Sequence, residues 1–366
     1  MIKVFTIFGT RPEAIKMAPL VKELNARAGI ESVVCVTAQH RQMLDQVLDV
    51  FDIKPDFDLN IMRHGQTLAD ITTGALTGIE NILKEAEPDI VLVHGDTTTT
   101  LAGALAAFYR RIPLGHVEAG LRTWNKRSPY PEEINRQMVD CVADLLFAPT
   151  ERSKQNLLDE NKDESKIYVT GNTAIDALAA TVSKEYTHPV LDWCSGSRLI
   201  LLTAHRRENL GEPMRGIFRA IKRVTDEFSD VRVVYPVHLN PQVRTAAEEV
   251  LSGNDRIRLI EPLDVIDFHN FINSSYIVLT DSGGIQEEAP SLGKPVLVLR
   301  DTTERPEGVE AGTLKLAGAG EESVYLHTKE LLCDGGLYDR MSKASNPYGD
   351  GKASGRIADA IEENLR

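Results

Sequence analysis

The stretch Phe8-Gly9-Thr10-Arg11-Pro12-Glu13-Ala14-Ile15-Lys16 follows the first apolar run and sets a Gly beside two bases. Gly lets the backbone turn tightly, and Arg11 and Lys16 flank the start of the next helix, as in a phosphate-facing loop. A plain helix start with two solvated bases accounts for the same residues, and the pattern alone does not separate the two. Val93-His94-Gly95-Asp96 closes another apolar run and leads into Thr97–Thr100. Asp96 there is either the cap of the next helix or an acid reaching out from a strand end, and His-Gly-Asp at a strand end favours the acid. His116-Val117-Glu118-Ala119-Gly120 adds a carboxylate after a third run, and Pro131-Glu132-Glu133 puts two acids in a first helical turn, where they complement the helix dipole. Burial and neighbouring acids raise a carboxylate pKa, which is how acid–base groups are tuned. Glu118, ending a Val-containing strand, is the residue expected to show it.

The second half offers anion-binding chemistry. Thr203-Ala204-His205-Arg206-Arg207-Glu208-Asn209 ends an apolar run with one His and two Arg, an anion site in preference to surface salt bridges. His238, in Tyr235-Pro236-Val237-His238, reads as structural. Leu279-Thr280-Asp281-Ser282-Gly283-Gly284-Ile285-Gln286-Glu287-Glu288 reads as strand, turn and helix, so free backbone N–H groups can face a phosphate. Glu287 and Glu288 are dipole partners, or one grips a ribose hydroxyl pair. Arg300 and Arg305 add two bases to the same edge. No Gly-x-Gly-x-x-Gly, Walker or Gly-x-Ser-x-Gly motif occurs, so no nicotinamide cofactor is implied. Asp56-Phe57-Asp58 lies in a Pro-containing loop without other ligands nearby and the nine His lack metal-ligand spacing, so no metal is expected.

These loops need strands behind them and helices after them. Strands are expected at Lys3–Phe8, Ser32–Thr37, Ile90–His94, Leu114–Glu118 and Leu145–Ala148, then Leu199–Thr203, Arg232–Pro236, Ile257–Ile260, Ile277–Thr280 and Pro295–Leu299. Helical patterns fall between them, for example Ala14–Ala26, Arg41–Phe51, Thr67–Ala86 and Thr98–Tyr109. Such alternation implies parallel sheets covered on both faces, with ligands beyond the carboxyl ends of the strands. At roughly 150 residues per domain, 366 residues suggest two domains. Lys184–Ser197, with Pro, Gly and Ser, is the candidate linker. The fold class is α/β, two doubly wound domains facing a cleft. A net charge of −13 argues against a broad grip on nucleic acid or an anionic membrane. No apolar run approaches the roughly 20 residues that span a bilayer, and four widely spaced Cys imply no disulfide framework. The composition fits the cytoplasm.

Together FGTRPEAIKMAPL, VTAQHRQMLDQVL, VLVHGDTTTT, GHVEAGLRT, PEEINR, HRREN, YPVHLNP, LTDSGGIQEEAPSLGKPVLVLRDTTERPEG and NPYGDG resemble the bacterial non-hydrolysing UDP-N-acetylglucosamine 2-epimerases nearly end to end. The resemblance implies two Rossmann-like domains of the GT-B type, residues 1–185 and 195–350, with a C-terminal segment 351–366 whose helix packs back on the first domain. It implies a homodimer that converts UDP-GlcNAc reversibly to UDP-ManNAc without NAD, supplying ManNAc for surface polysaccharides. Elimination of UDP to a 2-acetamidoglucal, then re-addition, is the implied route. The family's catalytic acids map onto Asp96, Glu118 and Glu132, with His205 a further catalytic candidate that also meets the nucleotide. Its nucleotide-binding residues map onto Arg11, Lys16, Ser282, Gly283, Gly284 and Glu288, with Phe268 beside the uracil. A regulatory UDP-GlcNAc site maps onto Gln39, Gln42, Glu132, Arg206 and His238. Gly65 stands where some relatives place an Arg in that site, with Arg63 and His64 beside it. A GT-B glycosyltransferase or a hydrolysing epimerase would share the fold and the UDP site. A UDP-sugar sensor would not need the three acids.

Overall fold

The computed structural model describes residues 1–38, 41–63 and 65–365. The chain divides into two compact units, Met1–Ala180 with the segment from Tyr348 onward, and Thr181–Pro347.

In the first unit, strands β1 (Ile2–Phe8), β2 (Ile30–Val36), β3 (Phe57–Asp58), β4 (Ile90–His94), β5 (Leu114–Val117), β6 (Leu145–Ala148) and β7 (Ile167–Val169) form one sheet in the order β3-β2-β1-β4-β5-β6-β7. Helices α1 (Arg11–Ala26), α2 (Arg41–Val50), α3 (Leu68–Ala86), α4 (Thr98–Tyr109), α5 (Glu132–Val142), α6 (Glu151–Asp159) and α7 (Thr173–Thr181) alternate with them. Every strand pair among the described residues is parallel, for example Phe8 opposite Val36 and Val4 opposite Ile90. Parallel strands covered on both faces need apolar side chains in both directions, and all of β4 is buried accordingly. Chain order reverses between β1 and β4, where the loops diverge and leave room for a ligand.

The second unit repeats the plan. Strands β8 (Arg198–Thr203), β9 (Val231–Pro236), β10 (Ile257–Ile260), β11 (Ile277–Thr280), β12 (Val296–Val298) and β13 (Leu314–Leu316) run parallel in the order β10-β9-β8-β11-β12-β13, reversing between β8 and β11. Its helices are α8 (Pro189–Cys194), α9 (Glu212–Glu227), α10 (Pro241–Leu251), α11 (Val265–Ser274), α12 (Gly283–Ser291), α13 (Pro306–Glu310), α14 (Glu321–Cys333) and α15 (Gly335–Lys343). No described helix is long and apolar enough to cross a membrane.

Two expectations change. Lys184–Ser197 is not a free linker: it contains α8, and Tyr186, Val190, Leu191 and Trp193 pack on the second unit's apolar cluster around Phe271 and Leu201. Trp193 is further held between the guanidinium groups of Arg232 and Arg258, at 4.7 and 4.4 Å from its ring. Asp56-Phe57-Asp58 is not a loop, because Phe57–Asp58 pairs with β2 and Asp56 accepts the Val34 N–H at 2.8 Å. After the second unit the chain returns to the first as α16 (Ala353–Leu365). Ile357, Ala358 and Ile361 enter the cluster formed by Met17, Leu20 and Leu24 of α1. Arg27 locks the contact, reaching Asp359 at 2.6 Å and Glu362 at 2.8 Å.

Gly9 follows β1 without a positive φ, so its role is space and not a left-handed turn. A Cβ there would lie 2.0 Å from Thr37 Oγ1 and 2.6 Å from Thr99 Oγ1, two buried hydroxyls that bond each other at 2.9 Å. Gly9→Ala should therefore destabilise the protein by about 1–3 kcal/mol, the usual cost of overpacking. A lowered urea midpoint at unchanged slope is the expected result.

Candidate active site

At the first switch point one carboxylate joins the loops after β1 and β4. Glu13 Oε2 accepts the N–H groups of Gly9 (3.1 Å) and Thr10 (2.7 Å), and Oε1 accepts the hydroxyls of Thr97 (2.7 Å) and Thr100 (3.0 Å). Burial pushes the Glu13 carboxyl above its ordinary range, against the pull of those donors. Thr97 caps α4 by accepting the Thr100 N–H at 3.1 Å. Asp96 is thereby released from the capping role. Its carboxylate pairs with Arg136 at 2.7 Å, and Asn135 holds its carbonyl oxygen at 2.9 Å.

Asp96, Glu118, Glu132, Lys16 and Arg136 form one electrostatic cluster. Burial pushes Asp96 up, Arg136 and Lys16 pull it down, and Glu118 and Glu132 push it further up. Glu132 opens α5, and its Oε2 is buried without a hydrogen-bond partner. Glu118 has the Lys16 ammonium against Oε1 and accepts the Asn172 amide at 3.0 Å. Glu118 sits in the left-handed region at φ 69°, a conformation that costs a residue with a Cβ about 1–2 kcal/mol. Gly95 at φ 65° leaves room for it, because a Cβ there would lie 3.2 Å from Glu118 Oε2.

Behind this cluster stand groups the sequence reading left without roles. Buried His94 lies with Nε2 3.5 Å from Glu118 Oε2, and burial lowers its pKa to about 3. His116 Nε2 donates to the Gly95 carbonyl at 2.8 Å, and its Nδ1 meets Asp140 at 2.5 Å. Asp140 also takes the Arg122 guanidinium (2.7 Å) and the Gly120 N–H (3.2 Å). Burial would raise its pKa, but His116 and Arg122 hold it below the ordinary value. Glu133 does more than complement a dipole: it is buried and accepts the N–H groups of Thr123 (2.9 Å) and Trp124 (3.0 Å).

The second switch point is organised by Asp281, which follows β11 and is fully buried. Its Oδ2 accepts the N–H groups of His205 (2.9 Å) and Arg206 (2.9 Å) and the Asn209 amide (3.1 Å). Its Oδ1 lies 3.4 Å from His205 Nδ1. The His205 ring stacks on His238 at 5.3 Å. Burial lowers the His205 pKa, His238 and Arg206 lower it further, and Asp281 opposes them. Helix α12 starts at Gly283. Ser282 uses its own N–H on the Thr280 hydroxyl at 2.9 Å, and the first-turn N–H groups of Gly283 and Gly284 have no intrahelical acceptor. Glu288 is half-buried 3.7 Å from His269 Nε2, and His269 Nδ1 meets the Thr181 hydroxyl at 2.6 Å. Phe268, next to His269 on α11, is half-buried on the apolar cluster that includes Ile285.

The expected basic edge after β12 is corrected. Arg300 pairs with Glu304 and with Glu208 at 2.7 Å, and Arg305 pairs with buried Glu287. Arg206 reaches Glu304 at 3.0 Å. Of the two adjacent acids, Glu287 is taken up by Arg305 and Glu288 lies beside His269. Arg11 opens α1 and has no ion-pair partner among the described residues. Gln39 and His64 lie outside the described residues, and Gln42 lies on α2, its side chain not described. Gly65 has φ 76°.

Residues 22–362 match the family model of the UDP-N-acetylglucosamine 2-epimerases. The chain is 67% identical over 360 residues to the UDP-N-acetylglucosamine 2-epimerase of Bacillus subtilis, covering 98% of this chain and 95% of that protein. A crystal structure of a putative UDP-N-acetylglucosamine 2-epimerase from Listeria monocytogenes is similar at 59% identity and TM-score 0.96, over 100% of this chain and 96% of that one. The Neisseria meningitidis UDP-GlcNAc 2-epimerase bound to UDP-GlcNAc is similar at 49% identity and TM-score 0.90, over 99% of this chain and 100% of that one.

The raised Asp96 pKa carries a signed consequence. A carboxyl whose folded pKa exceeds its unfolded value of about 3.9 loses its stabilising contribution as pH rises through the folded value. Asp96→Asn should therefore gain stability relative to wild type between pH 4 and pH 7. Thermal unfolding of both proteins across that range checks it, and a constant difference would contradict the assignment.

Proposed function

Because the chain belongs to the UDP-N-acetylglucosamine 2-epimerase family, we propose that it interconverts UDP-GlcNAc and UDP-ManNAc by elimination and re-addition of UDP. The observation that carries this reading is the cluster of Asp96, Glu118 and Glu132 around Lys16 and Arg136 at the first switch point. The C–H at carbon 2 of the sugar has no adjacent carbonyl, so direct deprotonation is prohibitively slow. Breaking the bond from carbon 1 to UDP first builds oxocarbenium character, which acidifies that C–H. Loss of the proton gives a 2-acetamidoglucal and UDP; re-addition with protonation from the other face inverts carbon 2. The route needs carboxylates at the ring for proton transfer and donors at the leaving diphosphate.

The carboxylates belong to the first unit. Asp96, with its raised pKa, is suited to hold a proton and Glu118, beside Lys16, to be ionised. In this reading Arg11, Lys16, His205, Ser282 and the N–H groups of Gly283 and Gly284 take the diphosphate. Glu288 takes the ribose and Phe268 the uracil. A second UDP-GlcNAc beside the substrate is held by Gln39, Gln42, Glu132, Arg206 and His238. The protein works as a cytoplasmic homodimer feeding ManNAc to surface polysaccharides.

Proton NMR of the protein with UDP-GlcNAc in deuterated water tests the reaction. UDP-ManNAc carrying deuterium at carbon 2 is expected; free ManNAc with UDP would identify hydrolysis instead. Asp96→Asn and Glu118→Gln should each abolish turnover while leaving UDP affinity within about tenfold, roughly 1.4 kcal/mol, and near wild-type turnover in both would remove the catalytic assignment.

A further inference from the structure

His94 is an anomaly of the first unit. It ends a fully buried strand, only 4% of its surface is exposed, and neither Nδ1 nor Nε2 has a hydrogen-bond partner. Buried polar groups are normally paired, so an unpaired ring aimed at a carboxylate 3.5 Å away points to a bond formed in another state. The groups facing Glu118 are Lys16 from α1, Asn172 from the turn before α7, and His94 from β4. Asp96 lies beyond them, with Arg136 and Glu132, and His116 faces His94 from β5. Gly95 presents no side chain in the gap.

We propose that His94 is the positioning residue of Glu118: its Nε2–H closes on Glu118 Oε2 when an anionic diphosphate draws the Lys16 ammonium away. This rests on the reading that Lys16 meets the diphosphate. Burial and the nearby cations keep the ring uncharged. A neutral N–H orients the carboxylate yet leaves it a stronger base than an ammonium does. Substrate binding itself thereby switches Glu118 from an ion-paired group to an active base. No proton changes hands in the exchange.

Turnover of UDP-GlcNAc by wild type, His94→Leu and His94→Gln tests this. His94→Leu should lose about tenfold or more in kcat with KM within about threefold. The acid limb of its kcat–pH profile should move to higher pH, since a carboxylate deprived of a donor holds its proton more tightly. Gln can present an amide N–H near the Nε2 position and should recover most of kcat and return the limb. Unchanged kcat and limb in His94→Leu, or equal losses in Leu and Gln with an unmoved limb, would overturn the proposal. Should His94→Leu not fold, His94→Asn, whose amide falls short of Oε2, takes its place, and equality of Asn and Gln overturns it. Independently of turnover, 15N-histidine NMR of the wild type should show a ring N–H proton moving to low field, protected from exchange, when UDP is added. UDP binding without that change overturns the positioning role; an inactive wild type that still shows it overturns the epimerase reading alone.

Discussion

A parallel sheet whose chain order reverses leaves two loops diverging over its carboxyl edge, each with backbone N–H groups that no strand can pair. In both units a single buried carboxylate resolves this. Glu13 ties the loop after β1 to the threonines that start α4, and Asp281 ties the loop after β8 to the end of β11. Each is met from both sides of the divergence, so neither loop can shift without leaving a buried acceptor unpaired. Arg11 and Lys16 hang from the first bracket together with Asp96; His205 and Arg206 hang from the second together with Ser282. These side chains are placed by acids that are themselves buried.

Charge is the other organising quantity. Bases that look available in the linear sequence are mostly consumed internally: Arg122 by Asp140 and Glu160, Arg300 by Glu208 and Glu304, Arg305 by Glu287. Internal pairing of this kind fixes loop geometry. Arg11, by contrast, has no ion-pair partner among the described residues and stands at the start of α1.

The strands that carry the fold were legible because a strand covered on both faces is a continuous apolar run: Ile90–His94, Leu145–Ala148 and Ile277–Thr280 coincide with β4, β6 and β11. Phe57–Asp58, Ile167–Val169 and Leu314–Leu316 escaped, being sheet edges of two or three residues that are only partly buried. The segments that carry Glu13, Asp96 and Asp281 were legible from their position after strands. The brackets were not, since Glu13 finds Thr97 across 84 positions and Asp281 finds His205 across 76. Gly9 shows the same limit: its residue type was readable, but the hydroxyls of Thr37 and Thr99 that require it were not.

The return of α16 onto α1 has a consequence for synthesis on the ribosome. The first unit is discontinuous: its cluster around Met17, Leu20 and Leu24 is completed by Ile357, Ala358 and Ile361, which emerge after the whole of the second unit. At about 5–20 residues per second that interval is on the order of ten seconds. During it the part of α1 that meets α16 is uncovered while the continuous second unit can already fold. The unit begun first is completed after the second, and until then the nascent chain carries a hydrophobic strip that α16 later covers.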